Sequence, residues 1–213
     1  MCGVVGMKTF IRKDYKFWVC KYRGKKASIV YPCLVSLKRH GELQYIVNFN
    51  GKPYCVNKDK FGRHRLDFPA LKEFEKFNLP KGIYLGELYY GEGKTDEDFY
   101  TFLSRKTSDE LRLDVFGVYQ LGKRTGIMTE ETVRVLLKIK NGKHCRKAKF
   151  WLVRNEKELK KLIDKWIIKE GYEGLVVRNM KAWWLPRASY NWVKIKKKSR
   201  EQNYKNGKYG WWL

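Results

Sequence analysis

The run Leu43–Phe49, the turn Asn50-Gly51 and the return Tyr54-Cys55-Val56 commit this chain to antiparallel β-structure. Asn-Gly tolerates the left-handed conformations of a type I′ hairpin, whose twist matches that of the flanking strands. Runs of the same β-branched and aromatic character recur at Ile83–Tyr90, Leu111–Leu121, Phe150–Val153, Leu175–Val177 and Trp192–Ile195. Helical patterns lie between them. Phe68-Pro69-Ala70-Leu71 opens a short helix through Phe77, with Leu71, Phe74 and Phe77 on one face. Thr95-Asp96-Glu97-Asp98 caps another that bears Phe99, Phe102 and Leu103, and a third runs from Thr129 to about Ile139. The clearest begins at Asn155-Glu156, places Leu159, Leu162, Ile163, Trp166 and Ile167 at helical spacing, and stops at Gly171. The order predicts one α+β domain of antiparallel sheets with interleaved helices, in which residues 20–57 form a single meander.

Charge narrows the partners. Lys and Arg number 47 against 22 Asp and Glu, a formal net charge of +25. Such an excess costs self-repulsion in a compact state, and a polyanion relieves it with release of counterions. The aromatic content of 15% excludes a disordered basic tail. Cys2, Cys20, Cys33, Cys55 and Cys145 are scattered with no C-x-x-C pair, and His40, His64 and His144 lie far apart. They predict reduced thiols, with neither a zinc site nor a disulfide frame. No apolar run approaches the ~18–20 residues of a membrane span, and no signal-peptide layout begins the chain. A soluble intracellular protein is expected, in cytoplasm, nucleoid or nucleus or of viral origin, and as a monomer without membrane association.

Several residues have the chemistry of a phosphate-handling site. Lys21 leads from an apolar segment into a turn at Gly24. As a nucleophile it must be neutral, so neighbouring cations or burial must lower its pKa from ~10.4. Lys26, Lys194 and Lys196 are the cations that converging strands would supply. Glu87 and Glu173 each stand beside a glycine in an apolar, strand-like run. A carboxylate there is costly unless paired with a cation or bound to a metal. Lys194 and Lys196, two residues apart, point to one face of a strand and repel unless an anion lies between them. Phe116, between Val115 and Gly117, suits either a core position or a stacking surface for a purine.

Taken in order, these fragments resemble the motifs of the covalent nucleotidyltransferases, namely ATP-dependent DNA ligases, RNA ligases and mRNA capping enzymes. That family runs K-x-D-G-x-R, a strand with G-E, an aromatic-bearing strand, E-G-x-V-x-K/R and W-x-K-x-K. This chain has Lys21-Tyr22-Arg23-Gly24-Lys25-Lys26, Gly86-Glu87, Val115-Phe116-Gly117, Glu173-Gly174-Leu175-Val176-Val177-Arg178 and Trp192-Val193-Lys194-Ile195-Lys196. Arg187-Ala188-Ser189 is similar to the G-x-R-S run of DNA ligases. The resemblance, closest to the adenylation domain of DNA ligases, implies an ATP-grasp-like nucleotidyltransferase domain and a lysyl-AMP intermediate on Lys21. Lys194 and Lys196 would act on the α-phosphate as catalytic residues. Cys20, Lys26, Glu87, Phe116 and Arg178 would line the nucleotide, with Phe116 on adenine. Glu87 and Glu173 would take Mg2+ or Mn2+. Arg23, Lys25, Lys26 and Arg187 would meet nicked double-stranded DNA, with RNA as the alternative substrate.

Two departures from the family pattern accompany the likeness. Arg23 stands where the family has Asp, which reverses a charge two residues from the nucleophile. After residues 1–197 only a basic, aromatic tail at 198–213 is left, so no C-terminal OB-fold is expected. The leading expectation is an ATP-dependent DNA ligase. The alternatives are an RNA ligase or capping guanylyltransferase, and a catalytically degenerate relative that only binds nucleic acid.

Overall fold

The computed structural model describes residues 29–49, 52–57, 64–65, 68–91, 109–183 and 191–196. They build two sheets that face each other. The smaller contains β1 (Cys33–Lys38), β9 (Phe150–Val153), β10 (Gly174–Asn179) and β11 (Trp192–Lys196), ordered β11-β10-β1-β9. The larger contains β2 (Glu42–Asn48), β3 (Tyr54–Asn57), β4 (His64–Arg65), β5 (Gly82–Tyr90), β6 (Leu111–Leu121) and β7 (Arg124–Thr125). Its order is β4-β3-β2-β5-β6-β7, with β8 (Cys145–Lys147) paired to β6 in parallel. The hairpin β2–β3 forms as the Asn50-Gly51 signal predicts, pairing Val47 with Tyr54.

Strand alternation sorts the side chains into three apolar layers. Ile46, Tyr84, Leu88, Leu113 and Val115 face outward from the larger sheet, where α1 (Pro69–Lys76) and α2 (Thr129–Leu136) cover them. Cys33, Val35, Leu175, Val177 and Ile195 face outward from the smaller sheet, beneath α3 (Glu156–Ile163). Between the sheets Tyr45, Val47, Ile83 and Leu85 meet Val176 and Trp192. This middle layer gives way at one end to charged side chains. The described cysteines Cys33, Cys55 and Cys145 are buried thiols, and no described helix is long and apolar enough to cross a membrane.

Local chemistry explains the helix ends. Asn155 caps α3 by accepting from the Glu158 amide at 3.0 Å, and the Glu158 carboxylate accepts from the Arg154 amide at 2.8 Å. After Ile163 the helix widens into a π-helical turn, Asp164–Lys169, and Gly171 at φ +73° ends it. Glu73 on α1 accepts from the amides of His144 and Cys145 at 2.8 and 2.7 Å, tying that helix to β8.

Several expectations need correction. Residues 20–57 are not one meander: β1 lies between β10 and β9, whereas β2 lies between β3 and β5. The reason is that β1 is buried on both faces (Cys33 and Leu34 alike), so it needs cover that a surface hairpin lacks. The chain crosses between sheets at Arg39-His40-Gly41. The sheets are not purely antiparallel, because β8 runs parallel to β6. Glu173 sits on a bend before β10 rather than inside the strand, and the helix from Thr129 ends at Leu136. The helix expected from Thr95 lies outside the described residues, as does the tail at 198–213.

Candidate nucleotide site

Every second residue of β1, β10 and β11 faces the larger sheet. The cross-strand rows are Leu34–Arg178–Trp192, Ser36–Val176–Lys194 and Lys38–Gly174–Lys196. Ser36, Arg178, Lys38 and Lys194 therefore line one side of a cleft. From the opposite sheet β5 contributes Glu87, on the same face as Ile83 and Leu85, with Leu43 and Asp114 as its cross-strand neighbours.

Glycines make room for the carboxylate. A Cβ on Gly86 would stand 2.7 Å from Leu113 Cδ1, so the chain can pass Glu87 into the cleft only with hydrogen on the packed side. A Cβ on Gly41 would stand 2.4 Å from the Leu88 carbonyl oxygen and 3.0 Å from Glu87 Cγ. The sheet crossover thus lies directly against Glu87.

Electrostatics show which groups converge. Burial pushes the Glu87 carboxyl up from 4.5 to about 7. Lys38 and Lys194 pull it down, while Glu173 and Asp114 push it further up. Four charged groups from four separate strands or bends therefore share one field with Glu87. Lys38 makes an ion pair with Glu173 and donates to the Arg39 carbonyl at 3.3 Å. His40 Nδ1 lies 3.5 Å from the same Glu173 carboxylate, whose side chain is only 11% exposed.

The aromatic wall is set by bulges. Leu85 pairs with Gly117 and Gly86 with Val115, so Phe116 is an extra residue on β6. A second irregularity places Tyr119 likewise. Together they turn Phe116 and Tyr119 onto the inter-sheet face, although strict alternation would send one of them outward. Arg178 packs over the Phe116 ring at 5.5 Å and over Trp192 at 4.5 Å, and it donates to Ser36 Oγ at 2.9 Å. It is 4% exposed, which makes it part of the wall behind Phe116 rather than a free phosphate contact.

Of the residues expected from sequence, Glu87, Glu173 and Lys194 come together, with Phe116 and Arg178 at the apolar end. Lys196 occupies its place in β11 beyond Lys194, opposite Gly174. Cys20, Lys21, Arg23, Lys25, Lys26 and Arg187 lie outside the described residues. Sequence reasoning missed Lys38, Arg39, His40 and Asp114. Asp114 carried the same signal as Glu87, a carboxylate in an apolar strand. Lys38-Arg39-His40 had no signal beyond a basic turn.

No protein-family model matches the sequence, and no curated protein matches it. Solved structures do match. A Lig E DNA ligase aligns with TM-score 0.60 and 18% identity over 84% of this chain and 68% of its own. The ATP-dependent DNA ligase of bacteriophage T7, in complex with ATP, aligns with TM-score 0.57 and 15% identity over 78% and 62%. Pmar-Lig_PreS3 aligns with TM-score 0.58 and 16% identity over 77% and 42%. The described residues have the nucleotidyltransferase fold of ATP-dependent DNA ligases. The chain spans about two-fifths to two-thirds of the length of these ligase structures. Within the ligase fold, the cleft between the two sheets is where Glu87, Lys38, Glu173 and Lys194 converge.

The donor set of that cleft fits a hard divalent cation arriving with a nucleotide. Among the described residues no group of three or more His, Cys, Asp or Glu could hold a metal by itself. Mg2+, however, is ordinarily held by one or two carboxylates together with substrate phosphates and water. Glu87 and Glu173, the latter's charge raising the former's pKa, are the two carboxylates that could form such a pair, with Glu173 also paired to Lys38.

Proposed function

We propose that this chain is an ATP-dependent polynucleotide ligase, DNA being its substrate, that works through a lysyl-AMP on Lys21. The observation carrying the reading is the convergence of Glu87, Glu173, Lys38 and Lys194 on one cleft from distant parts of the sequence. The ligase fold and the ATP carried by the T7 ligase structure support it.

In the first step the neutral Lys21 amine gives its lone pair to the α-phosphorus. The N–P bond forms, the bond to pyrophosphate breaks and the amine proton passes to water. Lys38 and Lys194 supply the crowding of positive charge that keeps a third lysine neutral, and Lys194 and Lys196 hold the α-phosphate as its charge shifts. Phe116 stacks on the adenine, braced from behind by Arg178. Glu87 and Glu173 would hold a divalent cation, which would neutralise charge at the phosphates. The 5′-phosphate at a nick then attacks the lysyl-AMP phosphorus and releases the lysine. Finally the 3′-hydroxyl attacks the activated 5′-phosphorus, and AMP leaves.

Intact-protein mass after incubation with ATP and Mg2+ or Mn2+ tests this reading. An adenylate-sized gain in the wild type that is absent from Lys21→Ala is expected, and no gain in either overturns the covalent mechanism. Arg23, in place of an acidic residue, favours a second reading in which the chain binds nicked DNA without joining it. Sealing of pre-adenylated nicked DNA would exclude that second reading.

A further inference from the structure

A second concave site lies apart from the nucleotide cleft. It is a groove of about 470 Å3 between β8, the edge of β9 and the π-helical turn. Arg39, Arg146, Lys147 and Lys149 line it together with Phe150 and Trp166, and no Asp or Glu does. Among the described residues neither Lys147 nor Lys149 has a carboxylate partner. Lys147 donates to the Ile139 carbonyl at 3.5 Å, and Lys149 lies over the Trp166 ring at 4.4 Å. Arg146 is anchored through Nε to Asp114 and through Nη2 to the Tyr89 hydroxyl, yet its side chain stays 41% exposed. It is a guanidinium fixed in direction and open on one side.

The wall is aromatic. Trp166 packs 5.4 Å from Trp151 and 5.5 Å from Tyr172, so its indole is held by neighbours while remaining half-buried. The π-helical turn that contains it departs from the spacing of α3, a local irregularity often found at functional sites. Fixed cations along a groove, with an immobilised aromatic face among them, match what a single-stranded polynucleotide requires. Its phosphates take the cations, and a base of any identity stacks.

We propose that this groove binds a single-stranded segment of nucleic acid without sequence preference, phosphates meeting Arg146 and Lys147 and drawing Lys149 off the Trp166 ring, where a base takes its place. Arg39, next in the chain to Lys38, brings the groove beside the nucleotide cleft. A strand leaving a nick or a flap is thus held apart from the joined ends. The inference adds to the ligase reading but does not need it, because binding requires no chemistry at Lys21.

The test uses the full chain carrying Lys21→Ala, so that adenylation plays no part. Binding of fluorescent oligothymidylate is followed by anisotropy from low to moderate salt. Lys147→Ala/Lys149→Ala is compared with Lys157→Ala/Lys161→Ala, which removes equal charge from exposed positions on α3. The groove pair should weaken binding roughly tenfold and reduce the salt slope by about 1.4, as expected for two lost phosphates on a single strand. The α3 pair should do neither. An oligothymidylate carrying 5-iodouracil should crosslink to the peptide containing Trp166. Equal losses in both double variants, or a crosslink confined to other peptides, would overturn the proposal.

Discussion

Glu87 and Asp114 face each other on one rung of the β5–β6 ladder, yet the protein treats the two carboxylates differently. Asp114 accepts from Arg39 Nε at 3.2 Å, from Arg146 Nε at 2.8 Å and from the Tyr89 hydroxyl at 2.8 Å. Among the described residues, Lys38 and Lys194 are the cations that oppose the burial of Glu87, and its carboxyl is pushed up to about 7. One is a structural anchor. The other is buried with a raised pKa and serves no such anchor.

Glu87 therefore makes stability fall as pH rises. Its folded pKa lies above the unfolded value, so the folded state binds more protons between about 4.5 and 7, and folding is penalised above that window. The full penalty is up to about 3 kcal/mol. In metal-free protein, urea unfolding at pH 8 should show Glu87→Gln to be more stable than the wild type by about that amount. Below pH 4.5 the difference should vanish.

Asp114→Asn removes the carboxylate shared by the buried Arg39 and the part-exposed Arg146. A loss of about 3 kcal/mol or more is expected, as for breaking other buried ion pairs, read as a lower urea midpoint at pH 7. An unchanged midpoint would mean that Arg39 and Arg146 find other partners.

Gly41→Ala should disturb the crossover and Glu87 together. The added methyl meets a backbone carbonyl, which cannot swing away like a side chain. Destabilisation of about 1–3 kcal/mol is expected, with slower adenylate formation in protein that remains folded. Ala→Gly reversion should restore both.

Lys194→Met should slow adenylate formation about 100-fold or more with little change in apparent ATP affinity, because the ammonium acts on charge that develops during the transfer. Rapid-quench labelling with radioactive ATP measures both quantities. An effect on affinity alone would assign Lys194 to ground-state binding.

The sequence made some of this legible for a definite physical reason. Glu87 stood out because a carboxylate in an apolar strand is costly, and Lys194 because alternation fixes its face. Phe116 was set against the nucleotide by the family pattern, whereas periodicity alone left it core or cleft, since its direction depends on two bulges that no local pattern announces. The pairing of β1 with β10 was hidden because strand partners are chosen by distant segments, whereas Leu43–Val56 carried its own turn. Trp166 fitted an ordinary helix by spacing, and only the π-helical turn reveals its different setting.

Lys38 and Arg39 form a link with an anchor at each end. One end is tethered to Glu173, and the other is clamped between the rings of Tyr89 and Tyr172, at 5.0 and 4.9 Å. A single peptide unit joins them, so the cation that faces the nucleotide cleft and the one that lines the basic groove are fixed next to each other by the chain itself.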